Sequence, residues 1–321
     1  LYTLSEAPET WDRIVGEAAK ALSPFRVPVG EGMVSPDPAT EWGLYQSVLG
    51  VLPADFDPAD SAARAAIAER LKSYAQKAVR EAKRFTTWTA PDEAYEGALE
   101  RFVEAFMSAK ESGEALASFW KASQSFVVAG ALNSLSQTLI KLAAPGVPDI
   151  YQGTEFYDLS LVDPDNRRKI DFGAIEAAMS DGHSVADALP DWRDGRVKAK
   201  LTAAALKGRL KAPTLFTTGD YVPLEVTGEK RDHVVAFARI DGEGRIAVAI
   251  APRLALQLLD GADKPMPDAA AWGDTAVKLP ARFASARFED LLTLKPVVGS
   301  GGALRLSEVL AELPVALLLA D

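Results

Sequence analysis

The spacing of apolar residues divides the chain into a helical first part and a strand-rich last part. Between residues 61 and 85, apolar side chains such as Ile67 and Leu71 recur at steps of three and four, which predicts an amphipathic helix. The same spacing predicts further helices around residues 11–18, 41–52, 95–106, 114–143, 173–189 and 196–211. Residues 23–40 are rich in proline and are predicted to form an irregular loop.

From residue 214 onwards the apolar period changes to two, which is typical of β-strands. Strands are predicted at residues 215–216, 221–226, 234–239, 245–250, 275–279, 283–288, 291–292 and 315–319. Asp241 to Gly244 reads as a hairpin turn between two of these strands. Several short strands separated by turn residues predict an antiparallel β-sandwich at this end of the chain.

Charged residues mark the polar faces of two predicted helices. In the first, the face opposite the apolar stripe carries Arg64, Glu69, Lys72, Lys77 and Arg80. In the second, the basic residues are Lys198, Lys200, Lys207, Arg209 and Lys211. We interpret the second set as the solvated face of a surface helix, the simplest use of alternating charge.

The densest group of polar residues follows a short apolar run at residues 147–150. Pro145, Gly146 and Pro148 end the preceding helix, because proline lacks an N–H and fixes φ. A buried strand with polar groups at its exit is a common way of presenting a ligand site. The candidate ligand-binding residues are Tyr151, Gln152, Glu155, Asp163, Asp165, Asn166 and Arg167. An alternative is that Asp163, Asp165 and Arg167 form a structural salt-bridge loop.

Lys83 and Trp88 lie between two predicted helices and form a second candidate contact for a sugar. A cation beside an aromatic ring can grip a glucosyl unit. Residues at the end of a helix also satisfy its last carbonyl groups, so the pair has a structural interpretation as well.

Composition narrows the class of protein. A length of 321 residues allows two domains, and the formal charge of −10 opposes binding to nucleic acid or to an anionic membrane. The chain has no cysteine and only two histidines, His183 and His233, so no metal site and no cofactor are predicted. No run of 18 apolar residues is present, which predicts no membrane span, and we expect a cytoplasmic location.

Two connected stretches, Ala144 to Glu155 and Asp158 to Arg168, carry a family resemblance. The first resembles the region around the last barrel strand of α-amylase-like glycoside hydrolases. Both stretches together resemble the maltooligosyl trehalose synthase family in particular. Supporting matches lie at residues 80–83, 87–88, 91–96, 132–139 and 219–221.

The resemblance implies an intramolecular transglucosylation of a maltooligosaccharide, in which the reducing-end α-1,4 linkage becomes α,α-1,1. Such an isomerase works by the retaining mechanism with a carboxylate nucleophile and an acid. The family's three catalytic carboxylates belong to barrel strands four, five and seven, and their motifs are expected upstream of Leu1. We therefore predict no catalytic residue in this chain and expect it to be inactive without the N-terminal part of the same barrel.

The resemblance and the periodicities together predict an α+β fragment. Residues 1–143 are expected to hold a helical insertion and barrel helices. Residues 144–212 are expected to hold the last strand of a (β/α)8 barrel, the polar loop and closing helices, and residues 213–321 the β-sandwich. Two alternatives remain, another α-amylase-like hydrolase or glucanotransferase, and a non-catalytic carbohydrate-binding module.

Overall fold

The computed structural model describes residues 1–30 and 32–320. Residue 31, in the predicted loop 23–40, and residue 321, at the end of the predicted β domain, lie outside the described residues. The chain forms two compact units, and their boundaries differ from the three predicted segments. The first unit contains residues 1–126 and 159–169, and the second contains residues 127–158 and those from 170 onwards.

The first unit is mainly helical. Asp60 caps its longest helix by accepting hydrogen bonds from the N–H groups of Ala62 at 2.9 Å and Ala63 at 3.0 Å. This helix confirms the prediction from the apolar spacing around Ile67 and Leu71, both of which are buried. The elements of the unit are α1 (Pro8–Leu22), β1 (Val27–Gly30), β2 (Met33–Ser35), α2 (Pro38–Val51), α3 (Ser61–Ala82), α4 (Glu93–Met107) and α5 (Ala115–Ala122).

Aromatic side chains fill the centre of the first unit. Phe119 lies 5.9 Å from Trp11 and 5.5 Å from Phe106, measured between ring centroids, with the rings close to perpendicular. Tyr45 meets Phe106 in the same edge-to-face manner at 5.6 Å. Since these rings come from α1, α2, α4 and α5, they tie the helices together.

The second unit begins with the end of one long helix and continues into shorter helices and two sheets. The helices are α6 (Gln124–Ala143), which starts in the first unit, α7 (Phe172–Ser180), α8 (Val185–Ala188), α9 (Arg196–Lys211), α10 (Pro213–Thr217), α11 (Ala255–Leu259) and α12 (Leu306–Val309). The strands are β3 (Asp220–Pro223), β4 (Val226–Thr227), β5 (Val234–Ile240), β6 (Ile246–Pro252), β7 (Ala276–Lys278), β8 (Arg287–Asp290), β9 (Pro296–Val298), β10 (Ala303–Arg305) and β11 (Ala316–Ala320).

The strands form two antiparallel sheets with a shared hydrophobic core. The larger sheet has the order β3-β5-β6-β11-β8-β9, and the smaller has the order β10-β7-β4. Val248 lies opposite Leu318 in the register of β6 and β11, and both are buried. They belong to the same core cluster as Val277 and Leu304 of the smaller sheet.

Helix α6 is apolar enough, by length and composition alone, to cross a membrane. Its mean hydropathy over 18 residues is 1.3, yet 61% of that window is buried inside the protein. Burial of this extent is what a core helix of a globular fold shows, so the feature is weak support for a membrane span.

The predicted strand after α6 is absent from residues 144–164, all of which the structure describes. Val147 in the apolar run and Tyr151 directly after it are 94% and 53% exposed. A strand of a parallel barrel needs hydrogen-bonded neighbours on its edges, and this part of the chain pairs with none of the described strands. The barrel strand is therefore not confirmed in this chain.

Three further predictions differ from the structure in detail. Residues 114–143 form two helices that meet at Ser123, and residues 27–35 of the predicted loop contain the hairpin β1–β2. Residues 215–216 lie in the helix α10, not in a strand, because Pro213 at the first helical position favours a new helix.

Candidate functional site

Two arginines fix the point at which the polar segment leaves α6. Arg209 donates to the carbonyls of Leu142 at 2.6 Å and Gly146 at 3.1 Å. Arg239, only 1% exposed, donates to the carbonyls of Ala143 at 3.4 Å, Phe216 at 3.0 Å and Gly219 at 2.6 Å. The last carbonyls of a helix have no partner within it and carry partial negative charge, so cations are favoured there.

Residues 151–155 form a tight turn that is held by its own side chains. The Glu155 carboxylate accepts a hydrogen bond from the Gly153 N–H at 2.8 Å, and Thr154 Oγ1 donates to the Tyr151 carbonyl at 2.6 Å. Gly153 has φ of +87°, and a Cβ there would lie 3.2 Å from Ile170, so the position favours glycine. Tyr151 and Gln152 are exposed at this turn.

Lysines on α9 support the polar segment and the loop before α8, which corrects their interpretation as a solvated face. Lys198 Nζ donates to the Phe156 carbonyl at 2.9 Å. Burial lowers the pKa of Lys198 to about 8 and the charge of Lys141 adds to this, whereas Asp158 and Glu155 act in the opposite direction.

Lys200 is also a buried cation, with 7% of its side chain exposed. It donates to the carbonyls of Ala178 at 2.8 Å and His183 at 2.9 Å and to the Asp181 carboxylate at 2.5 Å. The apolar spacing did not predict that these two lysines point inward. A long side chain can reach inward from the edge of an apolar stripe.

The loop of residues 159–169 belongs to the first unit, where Asp165 is its anchor. Arg70 donates to both oxygens of the Asp165 carboxylate, from Nε and Nη2, each at 2.9 Å. The Leu161 N–H donates to the same carboxylate at 2.7 Å. Burial acts to raise the pKa of Asp165, but the hydrogen bonds from Arg70 and Leu161 and the Arg70 charge outweigh it and keep the pKa below its ordinary value.

The other candidate residues of this loop remain accessible. Arg167 Nε lies 2.5 Å from the Asp163 carboxylate, with 74% of the Arg167 and 46% of the Asp163 side chain exposed. Lys77 also donates to the Asp163 carbonyl. Asn166 is exposed, and its amide has no hydrogen bond to any described residue. Asp165 thus has a structural role, and the binding role of the exposed Asn166 stays a prediction.

The second candidate contact has the same mixture of roles. Lys83 takes a left-handed backbone conformation, φ +55°, at the C-terminal end of α3, and its N–H donates to the Val79 carbonyl at 3.3 Å. Trp88 is 55% exposed, and the guanidinium carbon of Arg80 lies 4.9 Å from the centroid of its ring. Arg80, assigned from sequence to a polar helix face, is therefore the residue at this site that periodicity missed.

The two compact units divide the predicted residues between them. Lys83, Trp88, Asp163, Asp165, Asn166 and Arg167 lie in the first unit, and Tyr151, Gln152 and Glu155 lie in the second. Their amides, acid–arginine pairs and aromatic rings are the groups that bind hydroxyl-rich ligands. Among the acids, Asp165 and Glu155 are already engaged by Arg70 and by the backbone of their own turn.

Comparison with known proteins shows which proteins this chain resembles. No protein-family model matches the chain. A Mycobacterium tuberculosis protein named as a maltooligosyl trehalose synthase is 33% identical over 324 residues, which cover 99% of this chain and 35% of that protein. The solved structure of maltooligosyltrehalose synthase from Arthrobacter ramosus is 34% identical, with a TM-score of 0.73, and the match covers 99% of this chain and 36% of that one.

A crystal structure described as a hypothetical maltooligosyl trehalose synthase from Sulfolobus tokodaii has the same fold, with a TM-score of 0.67 at 23% identity. The chain is thus similar over nearly its whole length to proteins named or described as maltooligosyl trehalose synthases. The comparisons agree with the predicted resemblance to maltooligosyl trehalose synthases, and the chain spans about a third of the length of the relatives it matches.

Proposed function

We propose that this chain is part of an enzyme that converts the reducing end of a maltooligosaccharide into a trehalose unit. The observation that carries the proposal is the similarity to maltooligosyl trehalose synthases over 99% of the chain. The reaction is an isomerisation in which the terminal glucose is released, turned and rejoined through an α,α-1,1 linkage. It proceeds by retaining transglucosylation through a covalent glycosyl-enzyme.

The chain contributes binding groups to this reaction, and another part of the same protein contributes the nucleophile and the acid. The resemblance assigns the catalytic carboxylates to barrel strands four, five and seven, and Glu155 and Asp165 of this chain already accept hydrogen bonds from their own surroundings. A retaining mechanism needs a free carboxylate opposite a protonated one. In the whole protein, residues 147–150 become the last strand of the barrel by pairing with strands from that other part.

Asn166 is the residue that tests the binding role. Its exposed amide suits a sugar hydroxyl, so Asn166→Ala in the full-length protein should raise KM or lower kcat for maltohexaose. The unfolding midpoint should remain unchanged, since no described residue depends on the Asn166 side chain. Asp165→Asn is the matched control, and it should lower the unfolding midpoint first. Normal kinetics of the Asn166→Ala protein would remove this loop from the binding site.

A further inference from the structure

The exposed indole of Trp88 is held in a fixed position by the backbone around it. Trp88 follows Thr87, whose N–H donates to the Ala90 carbonyl at 3.2 Å. The Ala90 N–H donates back to Thr87 Oγ1 at 2.9 Å. These two bonds close a turn around Trp88, so its ring is presented at the tip of an ordered loop although 55% of the residue is exposed.

One face of the ring is already covered by a cation that is itself fixed. Arg80 donates to the Glu96 carboxylate from Nε at 2.8 Å and from Nη2 at 2.6 Å. Glu96 is 5% exposed and also accepts hydrogen bonds from Thr86 Oγ1 at 2.5 Å and Gln76 Nε2 at 3.2 Å. Because turning away would break both hydrogen bonds from the guanidinium to this buried carboxylate, the guanidinium stays in place against one face of the indole.

Burial does not explain this arrangement, since a structural tryptophan covers its ring in the core, as Trp192 and Trp272 do. Arg80 already lies against one face of the ring, so a ligand can lie only on the other face. A pyranose ring offers an uncharged face of C–H groups to the indole and hydroxyls to the polar residues around it.

We propose that Trp88, supported by Arg80, is a preformed stacking platform for one glucosyl unit of a maltooligosaccharide. The choice of an α-1,4-glucan rests on the proposed function, but the platform lies entirely within the first unit and needs no catalytic group. A side chain that is already held in place loses less conformational entropy when a ligand binds. The Arg80–Glu96 pair under the ring holds Trp88 in this way.

The test is a titration of the ¹⁵N-labelled chain with maltopentaose, followed through the indole N–H signals of its six tryptophans. Trp88→Phe assigns the signal of Trp88. We expect that signal to shift and saturate, while the signal of Trp42, which is 38% exposed and packs edge-on against Trp11, does not move. Glycerol at the same hydroxyl concentration should cause no saturable shift.

Substitutions then separate the platform from general surface binding. Trp88→Ala should weaken maltopentaose binding by about ten-fold, the upper range for an aromatic contact. Arg80→Lys keeps a charge beside Glu96 but loses the planar support, and it should weaken binding about three-fold. Tyr2→Ala, which removes a 79% exposed aromatic from the same unit, is the matched control and should bind as the unchanged chain does.

An unmoved Trp88 signal, or unchanged affinity in Trp88→Ala, would overturn the platform. The proposed function fails by a different result, the absence of trehalose-capped product from the full-length protein. A sugar-dependent shift of Trp88 together with that absence would leave the platform standing and reject only the reaction.

Discussion

Two aspartates two residues apart in one loop have different physical roles. Asp165 is 10% exposed at its side chain and accepts two hydrogen bonds from Arg70, whose side chain is 19% exposed. Asp163 is 46% exposed and faces an arginine that is 74% exposed. Ion pairs at the surface contribute little to stability, whereas breaking a largely buried pair leaves an uncompensated charge.

Asp165→Asn should therefore lower the free energy of unfolding by about 2 kcal/mol at neutral pH. The pKa of Asp165 is held below its unfolded value, so the contribution of the carboxylate is complete above that unfolded value and disappears as the pH falls through the folded pKa. Urea unfolding at a series of pH values should show the unfolding free energies of the unchanged and Asp165→Asn proteins converging below about pH 4.

Asp163→Asn is the control for this change, and it should cost less than about 0.5 kcal/mol. An equal loss from both substitutions, or a difference that does not depend on pH, would contradict the assignment of Asp165 as the anchor of the loop.

Lys83→Gly should raise the free energy of unfolding by about 1 kcal/mol, because a left-handed backbone conformation is costly for a residue with a Cβ. Thermal unfolding would measure this gain. If Lys83 also binds sugar, the same variant gains stability and loses affinity, so a paired titration with maltopentaose separates the two roles. A loss of stability would show that the Lys83 side chain contributes contacts which outweigh the backbone strain.

The sequence showed which residues of the site are polar but not what holds them. The run Asp163 to Arg167 stands out because it is dense in charge, yet Arg70, its main partner, lies 95 residues before Asp165 on a regular helix. Arg80 was equally hidden, since a helix position that points toward another element looks the same as one that points toward water. Only the fold brings such partners together.

At the scale of elements, the close approach of α9 to the sheet region of the second unit depends on a glycine. A Cβ added to Gly208 would lie 2.6 Å from Leu291 Cδ1, and Leu291 is buried. Gly16, an exposed glycine in α1, has nothing within 4 Å of the same position. Both glycines thus lie in helices, but only Gly208 lacks room for a methyl group.

Gly16→Ala should raise the free energy of unfolding by about 0.5–1 kcal/mol, the helix-propensity gain of alanine. Gly208→Ala should lower it by about 1 kcal/mol, because overpacking against Leu291 exceeds that gain. Chemical denaturation of both variants provides the measurement. Adding Leu291→Ala should reduce the cost of Gly208→Ala in a double-mutant cycle, and strict additivity would argue against the contact.

Arg239 joins the end of α6 to β5 and α10 through three backbone carbonyls. Arg239→Met keeps much of the side-chain volume but leaves the carbonyls of Ala143, Phe216 and Gly219 without this donor. We expect a loss of about 3 kcal/mol in unfolding free energy. Arg287→Met, at an exposed position of β8, should have almost no effect, and a similar loss there would point to a general effect of charge removal.

Elements whose caps, apolar faces or pairing partners lie close in sequence were predictable. Elements that depend on partners distant in sequence were not. Helix α3 carries its own cap and stripe, and β5 and β6 pair across a short turn, so sequence periodicity located all three. Residues 147–150 have the apolar character of a barrel strand, but a parallel strand is defined by partners distant in sequence. In this chain those residues therefore remain outside both sheets.

At the scale of the whole molecule, the chain spans about a third of the length of the relatives it matches, so the proposed reaction should require more than this chain. The 321-residue chain should form no trehalose-capped product from maltohexaose, because the proposed function assigns the nucleophile and the acid to another part of the same protein. Product analysis by chromatography measures this outcome. Activity restored by supplying the remaining part of the protein would support the proposal, and activity of the chain alone would refute it.

Residues 159–169 belong to the first unit although residues 127–158, directly before them, belong to the second. During synthesis, this part of the first unit is therefore made late. The helices α1 to α5 of the first unit are complete before residue 127 leaves the ribosome, yet the carboxylate that pairs with Arg70 is made 95 residues after it. At a synthesis rate of about 5–20 residues per second, Asp165 is made roughly 5–20 seconds after Arg70. During that interval the nascent helix α3 exposes an unmatched cation, which a chaperone or a neighbouring acidic chain can contact before the loop arrives.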